Sequence, residues 1–95
     1  MKLFLDSANP KEISEALARG TIRGITTNPS ILAKEKPQPL LRSLQEMVKV
    51  IREYSQEIPL SVEVTTLEPK EMIKQAMELY DALAYPSLYI KIPIG

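Results

Sequence analysis

The sequence has no cysteine and no histidine. A disulfide framework, a thiol nucleophile, a Cys/His zinc site and an imidazole acid/base are therefore excluded, and any chemistry must use carboxylates, lysine, tyrosine, hydroxyls or amides. Neither charge is in excess: twelve Lys and Arg face twelve Asp and Glu, for a formal net charge of zero. Nothing then draws the chain over long range to nucleic acid or to an anionic membrane surface, and neither is expected as a partner. Glycine occurs only at positions 20, 24 and 95, so no Gly-rich phosphate loop is present. Long hydrophobic runs are missing too. The N-terminal run Leu3-Phe4-Leu5 is cut off by Asp6, too short for a signal-peptide core or a membrane span, and a cytoplasmic location is the expectation.

What is present, 95 residues with 44% apolar and 25% charged side chains, fits one small domain over residues 1–95 with a single modest core. Four apolar runs, at 2–6, 21–26, 59–65 and 87–93, read as strands. The stretches between them repeat apolar residues every three or four positions, the period of an amphipathic helix. Asn9-Pro10 supplies an N-cap and a first-turn proline for a short helix whose apolar face is Ile13, Ala16 and Leu17, stopped at Gly20. Leu40, Leu41, Leu44, Val48 and Ile51 mark a longer helix beginning near Pro37 and Pro39, and an extra helical turn is expected over 29–33. Pro69 opens a further helix with the stripe Met72, Ile73, Ala76, Met77, Tyr80 and Leu83, which must end before Pro86.

Strand and helix thus alternate, and right-handed crossovers in such a series build a parallel sheet. The pattern permits a doubly wound sheet with helices on both faces. It equally permits a (β/α) barrel with helices outside and a site at the C-terminal ends of the strands. Strand parity bears on the choice, because side chains alternate between faces. Leu3 and Leu5 oppose Phe4 and Asp6; Leu60, Val62 and Val64 oppose Ser61, Glu63 and Thr65; Leu88, Ile90 and Ile92 oppose Tyr89, Lys91 and Pro93. Thr26 and Asn28 share one side of the second strand's end. Each strand thus has one face carrying polar groups, and polar residues near four successive strand ends would converge on one interior.

Lys91 sits inside the apolar run Leu88 to Ile94. Removing its ammonium from water would favour the neutral amine, a nucleophile able to form a Schiff base with a carbonyl. The alternative is an edge-strand lysine that snorkels to solvent or pairs with a carboxylate, and parity alone does not separate the two. Asp6 and Glu63 suit proton transfer around such an imine; equally, Asp6 could cap a turn and Glu63 could pair with Lys91. The turn Thr26-Thr27-Asn28-Pro29-Ser30 offers hydroxyl and amide groups to a polyhydroxy substrate, and the same composition serves a plain turn.

Taken together, LDSAN at 5–9, GITTNPS at 24–30, SVEV at 61–64 and IKIP at 90–93 resemble the transaldolase family, in particular its short branch that includes the fructose-6-phosphate aldolases. The resemblance runs over the whole chain, which looks like the family's N-terminal half. It implies a TIM-type (β/α) barrel, a sugar phosphate substrate, and catalysis without a metal or organic cofactor. It implies Lys91 as the Schiff-base residue, Asp6 as the acid/base group on the substrate hydroxyl, Glu63 as the group orienting a catalytic water, and Thr26 and Asn28 as substrate-binding residues. Glutamate at 63 matches the transaldolases, where the aldolases carry glutamine. Transfer of a dihydroxyacetone unit between sugar phosphates is thus the leading expectation, with aldol cleavage or a non-catalytic oligomerising half-barrel as alternatives.

Length is where the resemblance stops. A complete barrel needs eight strands and about 200 residues or more, whereas four are expected here, leaving two unpaired edges and an open inner face. The family's phosphate-holding Arg and Ser have no counterpart. The chain is therefore expected to be incomplete for catalysis by itself, and to be completed by a second copy or by a complementary barrel half.

Overall fold

A computed structural model describes residues 3–35, 38–55, 57–63 and 68–92. In chain order the elements are β1 (Leu3–Asp6), α1 (Pro10–Ala18), β2 (Ile22–Thr27), α2 (Pro29–Leu32), α3 (Leu40–Arg52), β3 (Leu60–Glu63), α4 (Pro69–Leu83) and β4 (Leu88–Lys91). Every predicted strand and helix has its counterpart, with ends shifted by a few residues. The predicted strand residues Lys2, Val64, Thr65 and Pro93, and Pro37 ahead of the long helix, lie outside the described residues.

The four strands form one parallel sheet in the order β1-β2-β3-β4. Sequential neighbours joined by helical crossovers are what a barrel wall requires. One face is apolar and covered: Ile25, Leu60, Val62 and Leu88 pack with Ile13 and Leu17 of α1, Leu44, Met47 and Ile51 of α3, and Leu79 and Leu83 of α4. The opposite face is open, with Phe4 60% and Tyr89 58% exposed. A doubly wound sheet would cover both faces. Long helices on one side only make this an open α/β sheet with the form of half a TIM-type barrel.

Local chemistry explains the helix boundaries. Asn9 is the N-cap of α1, its side-chain oxygen accepting from the Glu12 N–H at 3.1 Å, with Pro10 following. Ser7 extends the cap, accepting from the Asn9 N–H at 3.1 Å and donating to the Glu12 carboxylate at 3.1 Å. The helix stops where Gly20 adopts φ +74° and its N–H reaches the Leu17 carbonyl at 3.0 Å. Replacing Asn9 by alanine strands one of the helix's first N–H groups. A loss of about 1 kcal/mol is expected, read as a lowered midpoint in thermal unfolding, with Asn9→Ser retaining most of the stability.

Gly24 is required by a close approach. It pairs with Phe4 across β1 and β2, and a Cβ built on it would lie 2.5 Å from two atoms of the Phe4 ring. Gly24→Ala therefore forces the ring aside, at an expected cost of about 1–3 kcal/mol. In a Phe4→Ala background the same change should cost much less, so a double-mutant cycle by chemical denaturation should return a clear coupling between the two positions.

One helix departs from expectation. Of the predicted α4 stripe, Met72 and Leu83 are buried, joined by Leu79, but Ile73, Met77 and Tyr80 are 52%, 64% and 54% exposed. The stripe is wider than the surface available to cover it. Its Met72-Leu79-Leu83 edge meets the sheet, while Gln75 and Glu78 turn toward Leu40 and Leu41 of α3. At 100° per residue, Ile73, Ala76, Met77 and Tyr80 fall on the flank facing away from α3.

Candidate active site

The open face gathers the residues that parity singled out, and the strand register fixes how they line up. Asp6 pairs with Thr26, Thr26 with Ser61, and Ser61 with Tyr89, making one row across all four strands. Glu63 and Lys91 pair in the next row toward the strand C-termini. Asp6, Thr26, Glu63 and Lys91 therefore share one face and one end of the sheet. That end is where barrel enzymes place their chemistry, because the loops leaving the strands surround it.

Within the row, the Thr26 hydroxyl donates a hydrogen bond to an Asp6 carboxylate oxygen, locking the two side chains together. The Ser7 N–H then reaches the Thr26 carbonyl at 3.0 Å, so the β1–β2 ladder continues past Asp6 and holds it firmly at the strand end. Asn28 has a structural task as well. Its side-chain oxygen accepts from the Ile31 N–H at 3.0 Å and its carbonyl accepts from the Leu32 N–H at 2.9 Å, which starts α2. Any contact between Asn28 and a substrate hydroxyl then falls to its amide nitrogen, which the cap orients. The plain-turn reading of the Asn28 segment thus holds for its backbone and side-chain oxygen.

Lys91 is exposed, and Glu63 is partly exposed. The dry setting that an apolar run suggests for the lysine is not supplied by these four strands. Leu88 and Ile90 of that run pack on the covered face, and Lys91, on the other, is left exposed among the described residues. Among the described residues no ion pair joins Lys91 to Glu63, so the two are register neighbours about 5 Å apart along the hydrogen-bonding direction rather than a closed salt bridge. Asp6 stands three strand spacings and one row from Lys91, roughly 16 Å on a flat sheet. Curling the sheet into a barrel wall shortens that span.

Ser61 and Tyr89 complete the central row. Parity places both on this face, yet nothing in their sequence neighbourhood marks them for a role; register is the missing signal, since it shows them in line with Asp6 and Thr26.

Comparison with known proteins agrees with this fold. Residues 3–95 match the family described as Transaldolase/Fructose-6-phosphate aldolase. A "Probable transaldolase" of Desulfitobacterium hafniense is 44% identical over 94 residues, covering 99% of this chain and 40% of the relative. A "Probable transaldolase" of Clostridium kluyveri is 46% identical over 94 residues, with the same coverage. One from a Thermoanaerobacter species is 42% identical over 96 residues, again 99% of this chain and 40% of the relative. The chain spans about two-fifths of the length of these relatives and corresponds to their N-terminal part. It belongs to the transaldolase/fructose-6-phosphate aldolase family.

Proposed function

We infer that the chain supplies the imine-forming wall of a transaldolase-type site and acts once the remainder of the barrel is present, whether as continuing polypeptide or as a partner chain. The Lys91 amine adds to the C2 carbonyl of a ketose phosphate, and loss of water gives a protonated imine. The Asp6 carboxylate takes the proton from the C4 hydroxyl. The C3–C4 bond then breaks, its electron pair moves into the iminium to give an enamine, and the shortened aldose phosphate leaves. An acceptor aldose phosphate next receives the three-carbon unit by the reverse steps, and water, oriented by Glu63, hydrolyses the imine. Thr26, bonded to Asp6, holds that carboxylate in place, and the Asn28 amide binds a substrate hydroxyl.

The observation that carries this reading is the register: an amine, two carboxylates and a hydroxyl occupy adjacent rows on one open face at the strand C-termini. The assembled barrel supplies what the wall lacks, namely cover over Lys91 and groups for the phosphate. Two copies of the chain, or one copy and a complementary half, would bring eight strands together. No helix among the described residues is long and apolar enough to cross a membrane.

Transfer and cleavage are separated by supplying one ketose phosphate with and without an aldose phosphate acceptor. Transfer requires consumption of the ketose to depend on the acceptor. Equal consumption without it would reject the transaldolase reading in favour of aldol cleavage. Glu63→Gln should move the balance toward cleavage.

A further inference from the structure

At the end of the sheet opposite Asp6, Thr26, Glu63 and Lys91, a cleft of about 350 Å³ opens between the C-terminal end of α1, the start of β2 and the loop from α3 to β3. Its size falls within the range of small-molecule sites, about 300–1,000 Å³. Leu17, Ile22 and Ile58 supply its apolar lining, and all three also pack on the core. Tyr54 is held in place on one side, its hydroxyl donating to the Ser14 carbonyl at 3.1 Å and lying 3.2 Å from the Ser14 hydroxyl, which ties the end of α3 to α1.

Two charged residues line this cleft, Arg23 and Glu57. Among the described residues, neither charged group forms an ion pair or a hydrogen bond, with the other or with any third residue. Both are nevertheless positioned by the fold. Leu3 pairs with Ile22 and Phe4 with Gly24, so Arg23 is the extra residue of a bulge in the β1–β2 ladder, a feature that re-aims a side chain. The Glu57 N–H donates to the Ser55 hydroxyl at 3.1 Å, and the Ser55 carbonyl accepts from the Tyr85 hydroxyl at 3.3 Å. The turn that carries the carboxylate is thereby anchored to the core, and the Ser55 hydroxyl keeps its own proton to donate.

A cation and an anion that share a cleft without closing on each other decide the charge of the ligand that fits. A phosphate or a dicarboxylate would meet Arg23 but be repelled by Glu57, and a diamine would face the reverse. A neutral apolar molecule would leave both charges unpartnered. A small zwitterion meets both. We propose that this cleft binds a free α-amino acid with an apolar side chain. Its carboxylate is held by the Arg23 guanidinium and the Ser55 hydroxyl, its ammonium by Glu57, and its side chain lies against Leu17, Ile22 and Ile58. The carbonyl ends of α1 and α3, just before the cleft, add to the preference for the ammonium. The site uses none of the residues assigned to the imine chemistry and none beyond position 58.

The test is isothermal titration calorimetry with L-leucine on the 95-residue chain and on the completed barrel. Saturable one-to-one binding is expected. Leucine amide, which lacks the carboxylate, and 4-methylpentanoate, which lacks the ammonium, should each bind about tenfold more weakly or worse. Arg23→Gln and Glu57→Gln, both at exposed positions and so expected to keep the fold seen by circular dichroism, should weaken L-leucine binding to a similar degree. Lys91→Ala should bind L-leucine as the parent chain does, which separates this site from the catalytic reading. No saturable binding to either form of the protein would overturn the proposal. So would equal affinity for 4-methylpentanoate or leucine amide, or a folded Glu57→Gln or Arg23→Gln variant that binds L-leucine unchanged.

Discussion

Lys91→Ala is expected to abolish the adduct that borohydride traps between the completed barrel and a ketose phosphate, and to lower the rate of transfer by about 10³-fold or more, equivalent to at least ~4 kcal/mol of transition-state stabilisation. Carboxylates and hydroxyls cannot replace an amine in imine formation, and no other lysine shares a row with Glu63. Lys91→Arg should be equally inactive, because a guanidinium keeps its proton and cannot attack a carbonyl. Since Lys91 is exposed in the half-barrel, neither substitution should alter stability by more than about 0.5 kcal/mol, so an intact fold with no adduct is the expected pair of results. Asp6→Asn should behave differently. In the proposed mechanism imine formation uses the lysine and bond cleavage the carboxylate, so the variant should still be trapped with substrate while transfer is lost.

The second large effect concerns the fold. Tyr85 is 1% exposed, and its hydroxyl donates to the Ile58 carbonyl at 2.5 Å with the Ser55 carbonyl at 3.3 Å. The Arg52 guanidinium lies 5.7 Å from its ring centre and donates to the Leu83 and Ala84 carbonyls at 3.3 and 2.6 Å. These contacts tie the α3–β3 loop to the left-handed turn at Ala84, where φ is 47°, and so set where β4 begins. Tyr85→Ala removes the ring, the hydrogen bonds and the cation–π contact at once. An expected loss of about 3–5 kcal/mol is a large share of the roughly 5–15 kcal/mol that holds a small domain together, and the chain should be mostly unfolded at 37 °C.

Tyr85→Phe is the milder variant, leaving the Ile58 carbonyl without this donor at an expected cost of about 1–2 kcal/mol by urea denaturation. Burial raises the Tyr85 pKa above the ordinary tyrosine value of 10.0, with the Arg52 charge opposing in part. The unfolded chain then loses this proton at a lower pH than the folded one. Stability is full below about pH 10 and falls as pH rises from there toward the elevated folded value. Tyr85→Phe should remove that alkaline decline.

Much of this was legible in the sequence because parallel strands and amphipathic helices each have a fixed period. Leu60, Val62 and Leu88 are buried where parity puts them, and Asp6, Thr26, Glu63 and Lys91 fall on the opposite face. Asn9-Pro10 and Gly20 mark the limits of α1 because capping depends on residues within one turn. Three features were not legible, and each depends on something beyond neighbouring residues. The solvation of Lys91 depends on what stands opposite it, and periodicity is silent on that. The exposure of Ile73, Met77 and Tyr80 depends on how much of α4 its neighbours cover, which the helix's own period does not show. The Arg52–Tyr85 clamp joins positions more than thirty residues apart in sequence, and a lone Tyr before Pro86 gives no sign of it.

The central claim is that the inner-face amine at the end of β4 carries the chemistry. The most direct measurement is peptide mapping by mass spectrometry of the completed barrel after borohydride reduction with a ketose phosphate. The expected result is one added three-carbon dihydroxyacetone unit per barrel site, the part left on the amine after the aldose phosphate departs, located on the peptide that contains Lys91. An adduct distributed over the surface lysines, or confined to a lysine outside β4 while the complex turns over substrate, would contradict it.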